Sequence, residues 1–200
     1  MIKTKLLISL LPVAFIIFIV LIILCIICSI FGSEQTYYKS NFVLPFDTNN
    51  YSITSEYGER IDPISKEESI HTGIDVVPTS DNIIAIADGV VSISTIDKYG
   101  AEYIMIEHAI DNIKYRSSYW HLKEDSRIVK TNDEVKQGQQ IGIMGSSGYS
   151  TGTHLHFALE KYNTKTKEYE YIDPSTIIKN SNSCINCKLY DYENNKYLND

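Results

Sequence analysis

Positive charge is scarce in this chain: 18 Lys and Arg stand against 25 Asp and Glu, for a net charge of −7. Lys3 and Lys5 are the only charged side chains before Gly32, so the remainder carries −9. A chain this acidic lacks the basic patch that nucleic acid requires and has no electrostatic pull toward anionic surfaces, so no nucleic-acid partner is expected. Cysteine is also scarce. Cys25 and Cys28 sit in an apolar run, and Cys184 and Cys187 form a lone C-x-x-C in a polar tail. One such pair cannot build a four-ligand structural zinc site, and no βαβ pattern supports a thioredoxin-like reading. A local disulfide ranks first for Cys184 and Cys187, ahead of a link between chains. Helical periodicity is missing as well, since no segment between Gly32 and Asp173 sustains it over three turns. Internal repeats and coiled-coil heptads are absent.

What the sequence does have begins with an uncharged apolar run from Leu6 to Phe31. As a helix at about 1.5 Å per residue it reaches roughly 39 Å, more than the roughly 30 Å hydrocarbon core of a bilayer. It exceeds the about 7–15 apolar residues of a cleaved signal peptide, and Ser29-Ile30-Phe31-Gly32 fits a cleavage site poorly. An uncleaved anchor over 1–31 is therefore favoured over a cleaved signal. Leu24 and Ile27 before the two cysteines leave lipidation a minor alternative. With Lys3 and Lys5 ahead of the span and no lysine behind it until Lys39, the N-terminus is expected in the cytoplasm. The chain reads as a single-pass protein of the cell membrane with its C-terminal part outside. A polar tether over 32–50, one domain over 51–178 and a flexible polar tail over 179–200 complete the expected order.

Within that domain, short apolar alternations broken by Gly, Asn and Asp predict strands near 73–77, 83–87, 90–96, 103–108, 114–120, 139–144 and 154–160. An all-β, largely antiparallel domain follows. Asp88-Gly89 is a hairpin signal. Gly138, Gly142, Gly145, Gly148 and Gly152 suit tight turns, with turn chemistry alone preferred for Gly138 and Gly142.

The candidate chemistry centres on STGTHLHF, Ser150 to Phe157. Residues i and i+2 of a strand share a face, so His154 and His156 point one way while Leu155 turns into the core. An H-x-H pair alone also occurs as ordinary core histidines, but His71 and Asp75 add an imidazole and a carboxylate four residues apart. Two histidines and one aspartate leave a tetrahedral metal one open position, as in catalytic rather than structural zinc sites. There is no H-E-x-x-H, so the glutamate base of that metalloprotease class is missing. His108 ends an apolar strand without any motif and is read as structural.

The segments SEYGERIDP (Ser55 to Pro63), HTGIDVV (His71 to Val77), YWHL (Tyr119 to Leu122), VKQGQQIGIMGSSGYSTGTHLHF (Val135 to Phe157) and IDP (Ile172 to Pro174) occur in that order. Together they resemble the M23 zinc metallopeptidases of the lysostaphin and LytM type, which cut peptidoglycan peptides. The resemblance spans about 55 to 174. It implies a lysostaphin/LytM-type β domain with an open groove and one Zn²⁺ held by His71, Asp75 and His156. It implies His121 and His154 as the non-ligand catalytic histidines, and a membrane-anchored endopeptidase acting on peptidoglycan stems or cross-bridges through zinc-activated water. Imidazole titrates near working pH, so His121 and His154 suit the proton transfers.

The same resemblance leaves a second reading, a scaffold or activator with little catalysis in a wall-spanning complex, although all five site residues are present here. A carrier domain of the biotinyl or lipoyl kind is disfavoured, because no lysine occupies the turn around Met144 to Gly148. Trp120, where the family more often has a small residue, either narrows the groove, stacks on substrate or is a half-buried strand aromatic. Ser147 and Thr153 are further variations, and Tyr119 and Tyr149 are candidate groove residues.

Overall fold

The computed structural model describes residues 41–181, 190–191 and 196–197. The predicted anchor, the start of the tether and the Cys184–Cys187 pair lie outside the described residues. Among the described residues no helix is long and apolar enough to cross a membrane.

Twelve strands and a short helix follow in order: β1 (Tyr51–Ser55), β2 (Gly58–Ile61), β3 (Glu68–His71), β4 (Gly73–Pro78), β5 (Asn82–Ile84), β6 (Gly89–Ile96), β7 (Glu102–Ile110), β8 (Ile113–Leu122), β9 (Glu134–Val135), β10 (Gln140–Ile143), β11 (Leu155–Asn163), β12 (Glu168–Ile172) and α1 (Ser175–Ser181). A two-residue pair, β13 (Tyr190–Asp191) and β14 (Lys196–Tyr197), follows them. The main sheet runs β1-β4-β11-β8-β7-β6-β9, with β12 beside β11, and β2–β3 and β5–β10 form two-stranded ribbons. Every pairing is antiparallel, in agreement with the all-β expectation.

Alternation along the central strands decides which face is core. Leu155, Phe157 and Leu159 of β11, Ile74 and Val76 of β4, and Ile104 and Ile106 of β7 are all buried. Each contributes on the order of 1.5–3 kcal/mol of apolar burial. Ile83, Ile86, Ile141 and Phe46 are buried in the same cluster, and Ile177 and Ile178 of α1 close it. The α1 helix starts where the Asp173 carboxylate accepts the Ser175 N–H at 2.8 Å, the capping role that short acidic side chains fill at helix starts. The opposite face of the central strands is left for polar groups.

Several expectations are corrected. The domain begins before Tyr51: Val43, Leu44 and Phe46 are buried, and Val43 N–H bonds to Ile86 O at 2.9 Å, so the tether ends earlier than 50. Asp88-Gly89 does not turn a hairpin, because β5 pairs with β10 and β6 with β7 and β9. Gly89 is there for close approach, since a Cβ would meet Glu107 O at 2.5 Å. The two-residue hairpin turn is Asp111-Asn112, both at positive φ (51° and 62°), the type I′ geometry that matches strand twist. Gly142 lies inside β10 rather than in a turn, whereas Gly138 does turn, with φ 84°. Strands β1, β2, β3, β9 and β12 were not predicted. They are two to five residues long, so even where apolar residues alternate, as Tyr51 and Ile53 in β1 and Tyr169 and Tyr171 in β12, the pattern is too short to announce a strand.

One polar chain threads the core. Ile86 N–H donates to the Tyr119 hydroxyl at 3.0 Å, Ser117 Oγ lies 3.1 Å from that hydroxyl and 2.8 Å from His108 Nε2, and His108 Nδ1–H donates to Asp88 O at 2.9 Å. His108 is thus the structural residue expected, and Tyr119 is wholly buried rather than a groove residue. Burial pushes the His108 imidazole below its ordinary value, partly offset by Asp88. A histidine with a lower folded than unfolded pKa takes up a proton on unfolding, so stability is lost as pH falls below the unfolded value near about 6.5. The drop in melting temperature from about pH 7.5 to about pH 5 should therefore be steeper in wild type than in His108→Gln. Parallel curves would contradict that assignment.

Candidate metal centre

Strand register builds the site. Asp75 of β4 lies directly opposite His156 of β11, and His156 lies opposite Trp120 of β8. Opposed residues share a face, which here is the one turned away from the apolar core. His71, the last residue of β3, approaches from the end of the β2–β3 ribbon, with Thr72 alone between it and the start of β4.

The result is a tight triangle of acceptor atoms. His71 Nε2 lies 3.1 Å from Asp75 Oδ1 and 2.9 Å from His156 Nδ1, and His156 Nδ1 lies 2.9 Å from Asp75 Oδ1. A tetrahedral ion with bonds of about 2.0–2.2 Å spaces its ligands about 3.3–3.6 Å apart, close to what is seen. His71 Nδ1–H is committed to Glu56 O at 2.8 Å, which leaves its Nε2 as a lone pair aimed at the triangle. Lone pairs converging with a carboxylate fit a cation. Burial raises the Asp75 carboxyl, but the His156 and His71 rings beside it more than offset that and hold the group well below the usual carboxylate range. Burial in turn holds His156 below the ordinary histidine value despite Asp75. An ionised Asp75 beside a His156 ring that burial favours as neutral is the protonation state that a hard or borderline divalent metal needs.

Surrounding groups fix that geometry, and sequence reading missed them. Arg60 Nη1 donates to Asp75 Oδ2 at 2.9 Å and to Ser55 Oγ at 2.6 Å, so the second carboxylate oxygen is tied while Oδ1 faces the histidines. Ser55 and Arg60 both belong to the segment SEYGERIDP, which is the signal in sequence that could have found them. Gly73 leaves room for the His156 ring, since a Cβ there would come within 3.0 Å of His156 Nε2 and 2.5 Å of Phe157 O.

The remaining histidines reach the site by two backbone devices. Strict alternation would send His121 to the core side with Tyr119. Instead the β7–β8 register jumps from Tyr103↔Trp120 to Glu102↔Leu122, and His121 is the extra residue, at φ 62°. Such a bulge re-aims one side chain. His121 Nδ1–H then donates to Ser147 O at 2.8 Å. Ser147 is itself pinned, donating from Oγ to Leu122 O at 2.6 Å and accepting from Glu102 N–H at 2.9 Å. The buried Glu102 carboxylate pairs with Arg127. His154 sits just before β11, its Nδ1–H donating to Gly152 O at 2.7 Å and its Nε2 3.7 Å from Asp75 Oδ1. The His121 and His154 ring centroids are 4.8 Å apart, and His121 and His156 are 6.2 Å apart. With both Nδ1 atoms used as donors, each neutral ring keeps its Nε2 lone pair for chemistry. Burial lowers the His121 pKa, which keeps that ring neutral at pH 7.

A cleft of about 410 Å³ opens beside the triangle, lined by Ser55, Arg60, Pro63, Asp75, Thr153 and His154. The Tyr149 hydroxyl donates at 3.3 Å to Oδ1 of Asp62, which lies between the lining residues Ile61 and Pro63. If Arg60 orients the ligand carboxylate, Arg60→Ala should lower zinc affinity by about 10–100-fold in a chromophoric-chelator competition, with Arg60→Lys in between. Unchanged affinity in Arg60→Ala would contradict it.

Comparison with known proteins agrees with this geometry. The profile of Peptidase family M23 matches residues 69–174. The chain is 39% identical over 99 residues to the peptidoglycan DD-endopeptidase ShyC of Vibrio cholerae, covering 49% of this chain and 22% of that protein. It therefore spans less than a quarter of that relative. Among solved structures, the catalytic domain of the antimicrobial peptidase lysostaphin from Staphylococcus simulans superposes with TM-score 0.53 at 31% identity, covering 66% of this chain and 94% of that one. A zinc-containing peptidase from Vibrio cholerae gives the same TM-score and identity over 64% of this chain and 37% of that one. With the matched stretch covering more than half its length and holding His71, Asp75, His121, His154 and His156 together, the chain belongs to Peptidase family M23.

Proposed function

We propose that this protein is a membrane-anchored zinc metalloendopeptidase that hydrolyses peptide bonds in peptidoglycan stems or cross-bridges. The observation that carries the reading is the convergence of His71 Nε2, Asp75 Oδ1 and His156 Nδ1 within 3.1 Å of one another, with two further imidazoles beside them. The donor set suits Zn²⁺, with two nitrogens, one carboxylate oxygen and room for a fourth ligand. When bound, zinc supplies Lewis acidity toward a scissile carbonyl and acidifies water to a pKa of about 7.

The chain's own residues carry the protons. Hydrolysis joins a water oxygen to the carbonyl carbon, breaks the C–N bond and delivers a proton to the departing amine. His121 and His154 divide these tasks, one accepting a proton from the attacking water at Nε2 and the other steadying the oxyanion or protonating the amine. Neither has a carboxylate partner behind its Nδ1; backbone carbonyls of Ser147 and Gly152 hold the rings instead. Arg60 and Ser55 keep Asp75 from rotating away.

The ShyC and lysostaphin likenesses support a peptide of the cell wall as substrate. The apolar run from Leu6 to Phe31 supports attachment to the cell membrane with the catalytic domain outside, where that substrate lies.

Single substitutions test the division of labour. His71→Ala, Asp75→Ala and His156→Ala should lose both bound zinc and cleavage of purified peptidoglycan. His121→Ala and His154→Ala should keep stoichiometric zinc and lose activity by about 10²–10⁴-fold. Elemental analysis with mass spectrometry of released muropeptides reads both. Full activity in His156→Ala, or wild type that binds no zinc, would overturn the proposal.

A further inference from the structure

The β2–β3 ribbon serves the metal centre with one face only. Along both strands half-buried or buried residues alternate with exposed ones, and the register Gly58↔His71, Glu59↔Ile70, Arg60↔Ser69 and Ile61↔Glu68 sorts them into two faces. Arg60 and His71 share the inner face, where both meet Asp75. Glu59, Ile61, Glu68 and Ile70 share the outer face and are all exposed. Ile70 is 70% exposed, the most of any large apolar side chain among the described residues, and Ile61 is 59% exposed.

The charge on that face is unanswered as well. Each isoleucine stands opposite a glutamate, so the two kinds of side chain lie on crossed diagonals along a groove of about 440 Å³. Among the described residues neither the Glu59 nor the Glu68 carboxylate has a hydrogen bond or an ion pair. From Glu56 to Ile70 five carboxylates stand against two cations, and both cations are engaged elsewhere: Arg60 on Asp75, and Lys66 on the Pro63 carbonyl at 2.6 Å. Nor does either strand pair with a third among the described residues, so each keeps an edge to which an extended segment can add.

These features select the occupant. An acidic face repels a second copy of itself and an anionic membrane alike. It suits a basic segment with aliphatic side chains. Residues i and i+2 of a strand share a face, so an added strand meets Glu68 and Ile70, two positions apart, with two side chains of its own at the same spacing.

We propose that the outer face of the β2–β3 ribbon docks an extended segment of a partner protein, in which a lysine or arginine and an aliphatic residue two positions apart meet Glu68 and Ile70. The inference goes beyond the peptidase reading and stands without it, since it concerns binding on the face turned away from the metal centre.

The test uses the full chain in detergent at about 0.15 M salt, where long-range attraction to an acidic protein is screened. The probe is a fluorescein-labelled octapeptide KTVTKTVT, whose lysines and valines fall on one side of a strand. Two controls replace its lysines by glutamate or its valines by serine. Anisotropy should show saturable binding of the probe, weakened by about fivefold or more in either control. Ile70→Ser should weaken the probe by a similar factor, and Glu68→Lys should shift the preference to the glutamate-bearing peptide, both at wild-type melting temperature. Binding unaltered in both variants, or no saturable binding at all, would overturn the docking face. So would wild-type dimers that Ile70→Ser disperses, which give the face to a second copy, or peptidoglycan cleavage lost in Ile70→Ser at unchanged zinc content, which gives it to the substrate. A wild type that binds the probe but cleaves no peptidoglycan upholds this inference and overturns the peptidase reading alone.

Discussion

Three electron-rich atoms meeting at one point, with no protein donor between them, is the constraint around which the domain is arranged. An antiparallel register that sets Asp75 against His156 supplies two of them from adjacent strands, and the β3–β4 junction supplies His71. A slip of one residue between β4 and β11 would exchange Asp75 for Ile74 or Val76 on the polar face and put a carboxylate into the core. The apolar face of the same strands prevents the slip. Leu155, Phe157, Ile74 and Val76 can be buried together in only one register, so the packing that stabilises the sheet also sets the site.

A strict sheet cannot deliver everything the chemistry needs. His121 follows a tryptophan on the His156 face and would point into the core, yet its imidazole stands 4.8 Å from that of His154. The bulge resolves the conflict at the cost of a left-handed residue, and the Ser147 carbonyl, the Ser147 hydroxyl and the buried Glu102–Arg127 pair hold it. At His121 the departure from regular structure falls where the site needs a side chain that regular structure would hide.

Strong alternation made the central strands and the all-β class legible in sequence, because burial on one face leaves a period-2 pattern. Short ribbon and edge strands such as β2 and β3 bury too little to leave one. The Asp88-Gly89 signal misled because Gly89 answers a close approach to Glu107 rather than a turn, whereas Asp111-Asn112 turned the β7–β8 hairpin without glycine. The five site residues stood out by residue type and ordered motif. What surrounds them did not: Arg60 reaches Asp75 across 15 residues of chain, and Tyr103 stacks on Trp120 because the β7–β8 hairpin sets them opposite one another. Tyr119 illustrates the limit from the other side, since Trp120 beside it shares the face of His156 while its own ring lies in the core.

The central claim is that one divalent ion is gripped by His71, Asp75 and His156. The most direct measurement is zinc K-edge X-ray absorption on the full chain loaded with one equivalent of metal. The account predicts a first shell of nitrogen and oxygen at about 2.0–2.2 Å with the outer-shell pattern of two imidazoles. A sulfur shell at about 2.3 Å would place the metal on the cysteines instead and contradict it.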